Sequence, residues 1–268
     1  MTTLAPFDLH DVYRKTFSGS ADSLIEEVSE SLSDCQFVWV SFVYFATLQM
    51  TGWYTRTPEP KYQRALSLAD FILADGIAFR LLQFAHFHPQ FSGREILLNY
   101  KSFSKQAVPN LNGTDLTPKL LKRLEGQGVR LVIYGATPEV SAKAADKVRR
   151  DHAFGVQAAH GYAPFPFQMI DGTDPVVLLV GLGAPKQEQW ILEHRSKFEA
   201  RGNIVVMGVG GLFDFWAGAE TRAPVWIQNS GLEWLWRLVT FPRKNSKKAI
   251  ASLNFFKQLL FPQVRSQG

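Results

Sequence analysis

Apolar and polar positions along this chain follow two periods. Short apolar runs at residues 37–45, 71–73, 130–134, 156–159, 175–180 and 203–207 are rich in Val, Leu, Ile and aromatic residues. Runs of that length and composition predict strands buried on both faces. Segments around 22–32, 62–68, 111–124 and 139–150, and one running through Phe198, carry the apolar spacing of helices. From residue 130 onward strand and helix alternate strictly, which predicts a parallel sheet covered on both faces. Residues 1–34 read as a polar N-terminal extension with one helix, and residues 35–220 as the α/β core. Residues 86–110 show no clear period and carry Pro89, Gly93 and Pro109 among His, Phe and Lys, the pattern of a lid or binding loop.

The last segment, 221–268, changes character. Leu232, Leu235, Trp236 and Val239 repeat at helical spacing, as do Ile250, Leu253, Phe256 and Leu260, with Arg237, Arg243, Lys244, Lys247, Lys248 and Lys257 on the polar remainder. An aromatic apolar face beside a basic one predicts an amphipathic appendage that lies on an anionic membrane surface. Docking of the same stripe onto the protein's own core would leave the same pattern.

Candidate chemistry stands at the carboxyl ends of the strands, where open α/β sheets bind ligands. After residues 176–180 come Gly181-Leu182-Gly183-Ala184-Pro185 and then an ammonium, an amide and a carboxylate: Lys186, Gln187 and Glu188. Gly135 and Thr137 follow one strand, His160 another, and Gly208, Gly210 and Asp214 a third. Turns of this kind present free N–H groups at a helix start, which suits phosphate. Thr47 and Gln49 lie beyond the first strand, and Asp75 directly beyond the second. Taken singly, Asp75-Gly76 is an ordinary turn, Thr47 a helix cap and His160 a structural histidine. No GxGxxG, no Walker A sequence and no Asp-x-Asp occurs, so a dinucleotide fold, a P-loop and a metal-bridged diphosphate are unsupported, and no cofactor or metal is expected.

Composition narrows the class further. Hydrophobic residues make up 46% and charged residues 20%, the balance of a globular chain able to bury a large core. A net charge of +5, concentrated toward the C-terminus, favours anionic partners. Outside that tail no Lys/Arg stripe interleaves with aromatics and no nucleic-acid motif occurs, so no nucleic-acid partner is expected. Cys35 is the only cysteine, which fits a reducing compartment. No secretory leader or spanning run is visible, and the expected location is cytoplasmic, peripheral on the inner face of a bacterial membrane. A homo-oligomer is compatible with this pattern, and so is a non-catalytic nucleotide-binding or membrane-docking module.

Seven blocks, in order, resemble the WecG/TagA/CpsF family of bacterial glycosyltransferases. They are Ala74-Asp75-Gly76-Ile77, Asn112-Gly113-Thr114-Asp115-Leu116, Tyr134-Gly135-Ala136-Thr137-Pro138, His160-Gly161-Tyr162, Gly181-Leu182-Gly183-Ala184-Pro185-Lys186-Gln187-Glu188-Gln189-Trp190, Gly208-Val209-Gly210-Gly211-Leu212-Phe213-Asp214-Phe215 and Arg222-Ala223-Pro224, the last continuing to Pro242-Arg243. The resemblance implies a Rossmann-like fold and inverting transfer of a hexose or N-acetylhexosamine (or its uronic acid). The implied donor is a UDP-sugar and the implied acceptor a polyprenyl-diphosphate-linked sugar, in surface-polysaccharide synthesis. It implies Asp75 as general base, Thr47 and Gln187 as its pocket neighbours, and Arg237 and Arg243 as groups that close over the diphosphate at the bilayer. The family often has Thr-x-Asn-Pro after the first strand. Here Thr47 is kept and Gln49 replaces the Asn, which leaves the donor sugar open.

Overall fold

The computed structural model describes residues 7–54, 57–230 and 233–261, with the side chains of Asn229, Trp234, Arg237, residues 242–245 and residues 247–249 outside the description. The elements run α1 (Leu9–Lys15), α2 (Ala21–Ser33), β1 (Phe37–Val43), α3 (Phe45–Met50), α4 (Pro60–Leu68), β2 (Phe71–Ala74), α5 (Ile77–Phe87), α6 (Gly93–Leu98) and α7 (Tyr100–Gln106). They continue with α8 (Gly113–Leu124), β3 (Arg130–Gly135), α9 (Pro138–Asp151), β4 (Val156–Ala159), β5 (Val176–Gly181), α10 (Lys186–Arg201) and β6 (Ile204–Gly208). Four helices close the described chain: α11 (Leu212–Trp216), α12 (Val225–Asn229), α13 (Glu233–Thr240) and α14 (Pro242–Leu260).

The six strands form one parallel sheet in the order β2-β1-β6-β5-β3-β4. Because side chains alternate across a strand, each strand feeds both faces. Val176, Leu178 and Val180 enter one core with Trp39, Val43 and Val206; Val177 and Leu179 enter the other with Val38, Val40, Val205 and Met207. Residues from α1, α3, α4, α5 and α10 cover the first face, and residues from α2, α8 and α9 the second. The doubly covered parallel sheet is the one expected from the alternation, and it is Rossmann-like.

Three findings depart from the pattern reading. Residues 86–110 are largely helical: α5 runs to Phe87, and α6 and α7 follow. The start of α6 is a capping box, in which Ser92 Oγ accepts the Glu95 N–H at 3.2 Å and the Glu95 carboxylate accepts the Ser92 N–H at 2.7 Å. The N-terminal segment is tied into the core as well. Val12 and Tyr13 are buried, and Phe17 N–H donates to Ile72 O at 2.8 Å, covering the β2 edge.

The third concerns α14, which packs on α3, α5 and α6 through Ala251, Phe255, Gln258 and Leu259. Phe255 meets Phe45 edge-on at 6.1 Å between ring centres. The stripe read from the sequence, Ile250, Leu253, Phe256 and Leu260, is exposed instead, Ile250 to 65%. At 3.6 residues per turn the two sets fall on nearly opposite faces of the helix. One apolar face therefore docks on the core and the other faces outward.

Candidate functional site

Apart from Arg237 and Arg243, the residues singled out from the sequence follow the C-terminal ends of the strands and fall into three neighbouring groups. The first sits at the ends of β2 and β1, which pair with Val43 opposite Ala74. Asp75 follows β2 at once, its N–H donating to Val43 O at 2.9 Å, and its side chain is half-buried. Gly76 then takes φ +84°, a turn that a side chain would strain, and its N–H donates to Asn110 Oδ1 at 2.9 Å. Beyond β1 the chain enters α3, which carries Thr47 and Gln49. Thr47 Oγ1 and Gln49 Oε1 are both buried with no hydrogen-bond partner among the described residues. Leaving such atoms unpaired costs about 1–3 kcal/mol each, so each calls for an explanation and is kept as a candidate.

The second group lies over β6, between β1 and β5. Gln187, in the first turn of α10, is buried and its side-chain amide is used inside the fold. Its Nε2 donates to Gly208 O at 2.7 Å and to Glu188 Oε1 at 2.9 Å, while its Oε1 accepts the Gly210 N–H at 3.0 Å. Ser41 Oγ, from the middle of β1, donates to the same Glu188 oxygen at 3.3 Å. Gln187 thus fastens the loop after β6 to the start of α10. A Cβ at Gly208 would lie 2.8 Å from Gln187 Nε2, so a side chain there would displace the amide from these hydrogen bonds.

Glu188 was read from the sequence only as a carboxylate at the mouth of the site. It is fully buried, and burial raises its carboxyl from 4.5 to about 7, against the opposing hydrogen bonds from Gln187, the backbone and Ser41. Its Oε2 has no partner among the described residues. No local signal marked this carboxyl, because its partner Ser41 is 147 residues away. Lys186, the residue before this pair, is exposed.

The third group surrounds the ends of β3, β5 and β4. The chain leaves β3 toward β4 and leaves β5 toward β6, in opposite directions, so these adjacent strands mark the topological switch point of the sheet. Gly135 and Gly181 are register partners there, and a Cβ on Gly135 would lie 2.5 Å from the Gly181 carbonyl carbon. Ala136 N–H donates to Gly181 O at 3.3 Å, and Thr137 Oγ1 caps α9 by accepting the Val140 N–H at 3.2 Å. His160 follows the edge strand β4, its Nδ1 accepting the Tyr162 N–H at 3.3 Å. Asp214 stands in the first turn of α11, beside Gly211 in the turn after β6. Arg237 and Arg243 belong to α13 and α14, and their side chains lie outside the described residues.

The C-terminal edge of the sheet thus carries a half-buried carboxylate and orphaned oxygens after β2 and β1, and glycine-built strand ends at the β3/β5 switch point, a set of groups whose chemistry suits a polar ligand carrying phosphate. Adjacent strands lie about 5 Å apart, so the step from β2 to β5 spans about 14 Å. The sequence profile of the glycosyl transferase WecG/TagA/CpsF family matches residues 11–267, nearly the whole chain. The chain belongs to that family. It is 31% identical over 192 residues, 69% of its length, to an N-acetylglucosaminyldiphosphoundecaprenol N-acetyl-beta-D-mannosaminyltransferase of Bacillus spizizenii. The matched region spans 66% of that relative's length.

Proposed function

We propose that this protein is an inverting glycosyltransferase that moves an N-acetylhexosamine from a UDP-sugar to a sugar held on a polyprenyl diphosphate, in the assembly of a bacterial surface polymer. The observation that carries the reading is that Asp75 directly follows β2 while α3, with the orphaned oxygens of Thr47 and Gln49, follows the neighbouring strand β1, on the same sheet edge as the β3/β5 switch point. The relative's name supports N-acetylmannosamine as the sugar and an N-acetylglucosaminyl-diphospholipid as the acceptor.

In this reading the Asp75 carboxylate accepts the proton of the acceptor hydroxyl. That oxygen bonds to the anomeric carbon from the face opposite the leaving group, and the bond from that carbon to the UDP oxygen breaks with its electron pair leaving on UDP. General-base assistance of this kind contributes about 10²- to 10⁴-fold. Charge grows on the departing diphosphate, so groups aimed there lower the barrier most. Lys186, exposed at the start of α10, and the turns after β3 and β6 are the groups assigned to it, together with Arg237 and Arg243. Thr47 and Gln49 hold the sugar, with Gln187 and Gly208 to Gly210 shaping the wall behind it. Gly135, Thr137, His160 and Asp214 are assigned to the nucleotide side.

The acceptor is a lipid, and the C-terminal helices offer an outward apolar surface to meet it. Val225, Trp226, Leu235, Val239, Ile250 and Leu253 are exposed, Trp226 and Val239 by 70% and 71%. The sequence adds Lys and Arg around them, which suits a peripheral dock on an anionic bilayer. No helix among the described residues is long and apolar enough to cross a membrane.

The test is product stereochemistry. Wild-type protein incubated with UDP-N-acetylmannosamine and a synthetic N-acetylglucosaminyl-diphospholipid is expected to release UDP and give a β-linked disaccharide by NMR. An α-linked product would overturn the inverting mechanism, and UDP release without a lipid product would overturn the acceptor.

A further inference from the structure

Arg222 stands at the root of the C-terminal appendage, and its guanidinium is a junction of three segments. It donates two hydrogen bonds to the Asp115 carboxylate, one from each terminal nitrogen, with Nη2 to Oδ2 at 2.7 Å. Its Nε lies 3.8 Å from Oε1 of Glu233, the first residue of α13. Asp115 is itself held in place: its Oδ2 accepts from Asn112 Nδ2 at 2.8 Å, and its N–H donates to Asn112 Oδ1 at 3.0 Å at the start of α8. The stretch that leads into α8 also borders the candidate base. Leu111 N–H donates to Ala74 O at 3.0 Å, and Asn110 Oδ1 takes the Gly76 N–H at 2.9 Å, on either side of Asp75. The Arg222 charge also interacts with the Asp75 carboxylate. One side chain therefore links α13, the first turn of α8 and the rim that carries Asp75.

We infer that Arg222 is a positioning residue that sets the appendage helices α12 and α13 against the sheet edge that carries Asp75. The inference rests on the reading under Proposed function, since it gives the appendage a place beside the site. Asp115 and Arg222 are partly exposed, with side chains 49% and 31% accessible, so an ordinary ion pair between them would contribute little stability. The two-pronged geometry matters more. A planar guanidinium grips a carboxylate in one orientation, and its remaining nitrogen meets a second acid, which a lysine ammonium cannot reproduce. The junction thus fixes direction as well as proximity, and the appendage leaves the core from a defined point.

The experiment uses the full chain with Arg222→Lys, Arg222→Gln, Asp115→Asn, and the reversed pair Arg222→Asp with Asp115→Arg. Hydrogen exchange across residues 224–240 is read first, with β3 and β5 as internal controls. Both Arg222 variants are expected to exchange faster in 224–240 and unchanged in the strands. Steady-state transfer is read second. Displacing groups that border a reaction centre lowers kcat by about tenfold or more, with donor KM held within about twofold. Asp115→Asn should cost no more when added to Arg222→Gln, because the two residues form one contact. The reversed pair should recover much of the lost protection. Unchanged exchange in 224–240, or a kcat within about twofold of wild type in Arg222→Gln, would overturn the inference. Wild-type protein that transfers no sugar would overturn the functional reading alone, because the exchange measurement still judges the junction.

Discussion

Replacing Glu188 with glutamine removes one ionisable proton from a position that water does not reach, and the consequence for stability has a definite sign. Glu188 is fully buried, and its carboxyl is raised from 4.5 to about 7, first by burial. The folded protein therefore binds this proton more tightly than the unfolded chain does. The stabilisation is fully present below about pH 4.5, shrinks as pH rises, and is gone above about pH 7. At 1.36 kcal/mol per pH unit the whole effect is about 3 kcal/mol. Glutamine keeps an oxygen to accept from Gln187 Nε2 and Ser41 Oγ and places an amide nitrogen where Oε2 has no partner. Its charge cannot change with pH. Denaturant unfolding of both proteins between pH 5 and 8 isolates the residue, because every other titrating group is common to the two. The variant is expected to gain about 2–3 kcal/mol relative to wild type between those pH values. Parallel pH profiles for the two proteins would refute a buried carboxyl held near neutrality.

Two further predictions concern the C-terminal helices. A Cβ at Gly93 would lie 1.8 Å from Leu259 O, so Gly93→Ala should push α14 away from α6, raising hydrogen exchange over 250–260 and lowering Tm by several degrees, at about 4 °C or less per kcal/mol for a chain this size; unaltered exchange there would remove this contact from the account. Changing Ile250 and Leu253 together to glutamate should cut sedimentation with anionic vesicles while leaving Tm in place, since both side chains face outward. Equal vesicle binding by the variant would detach the outward stripe from membrane docking.

Much of the framework was legible in the pattern of apolar runs. All six strands fall within a residue or two of their predicted ends, because strands buried on both faces must be apolar throughout. The order β2-β1-β6-β5-β3-β4 was not legible, since nothing local encodes which strands pair. The helices in 86–110 were missed although Ser92-Gly93-Arg94-Glu95 carries the capping-box signature, because they are too short to establish a period. The stripe on α14 was legible as a pattern but not as a destination. Ile250 and Leu253 face outward, while Ala251, Phe255 and Leu259 supply the docked face.

The site divides in the same way. The blocks carried Asp75 and Gln187 as candidates by residue type, and Thr47 came from its place after the first strand. They did not reveal that Gln187 would be occupied by Gly208, Gly210 and Glu188, or that Asp115 and Arg222, 107 residues apart, would grip each other beside Asp75. Contacts between distant segments are made by the fold, and a motif read in line does not contain them. Lys186 is exposed, and the oxygens of Thr47 and Gln49 are buried without a partner among the described residues, features that show only once the chain is folded.

The central claim is that the Asp75 carboxylate takes the acceptor's proton. The most direct measurement compares wild type and Asp75→Asn in the transfer of radiolabelled sugar from UDP-N-acetylmannosamine to a synthetic N-acetylglucosaminyl-diphospholipid. Wild type should move the label into the lipid, and Asp75→Asn should do so at least about 100-fold more slowly with an unchanged fold. Transfer by Asp75→Asn at the wild-type rate would contradict the account.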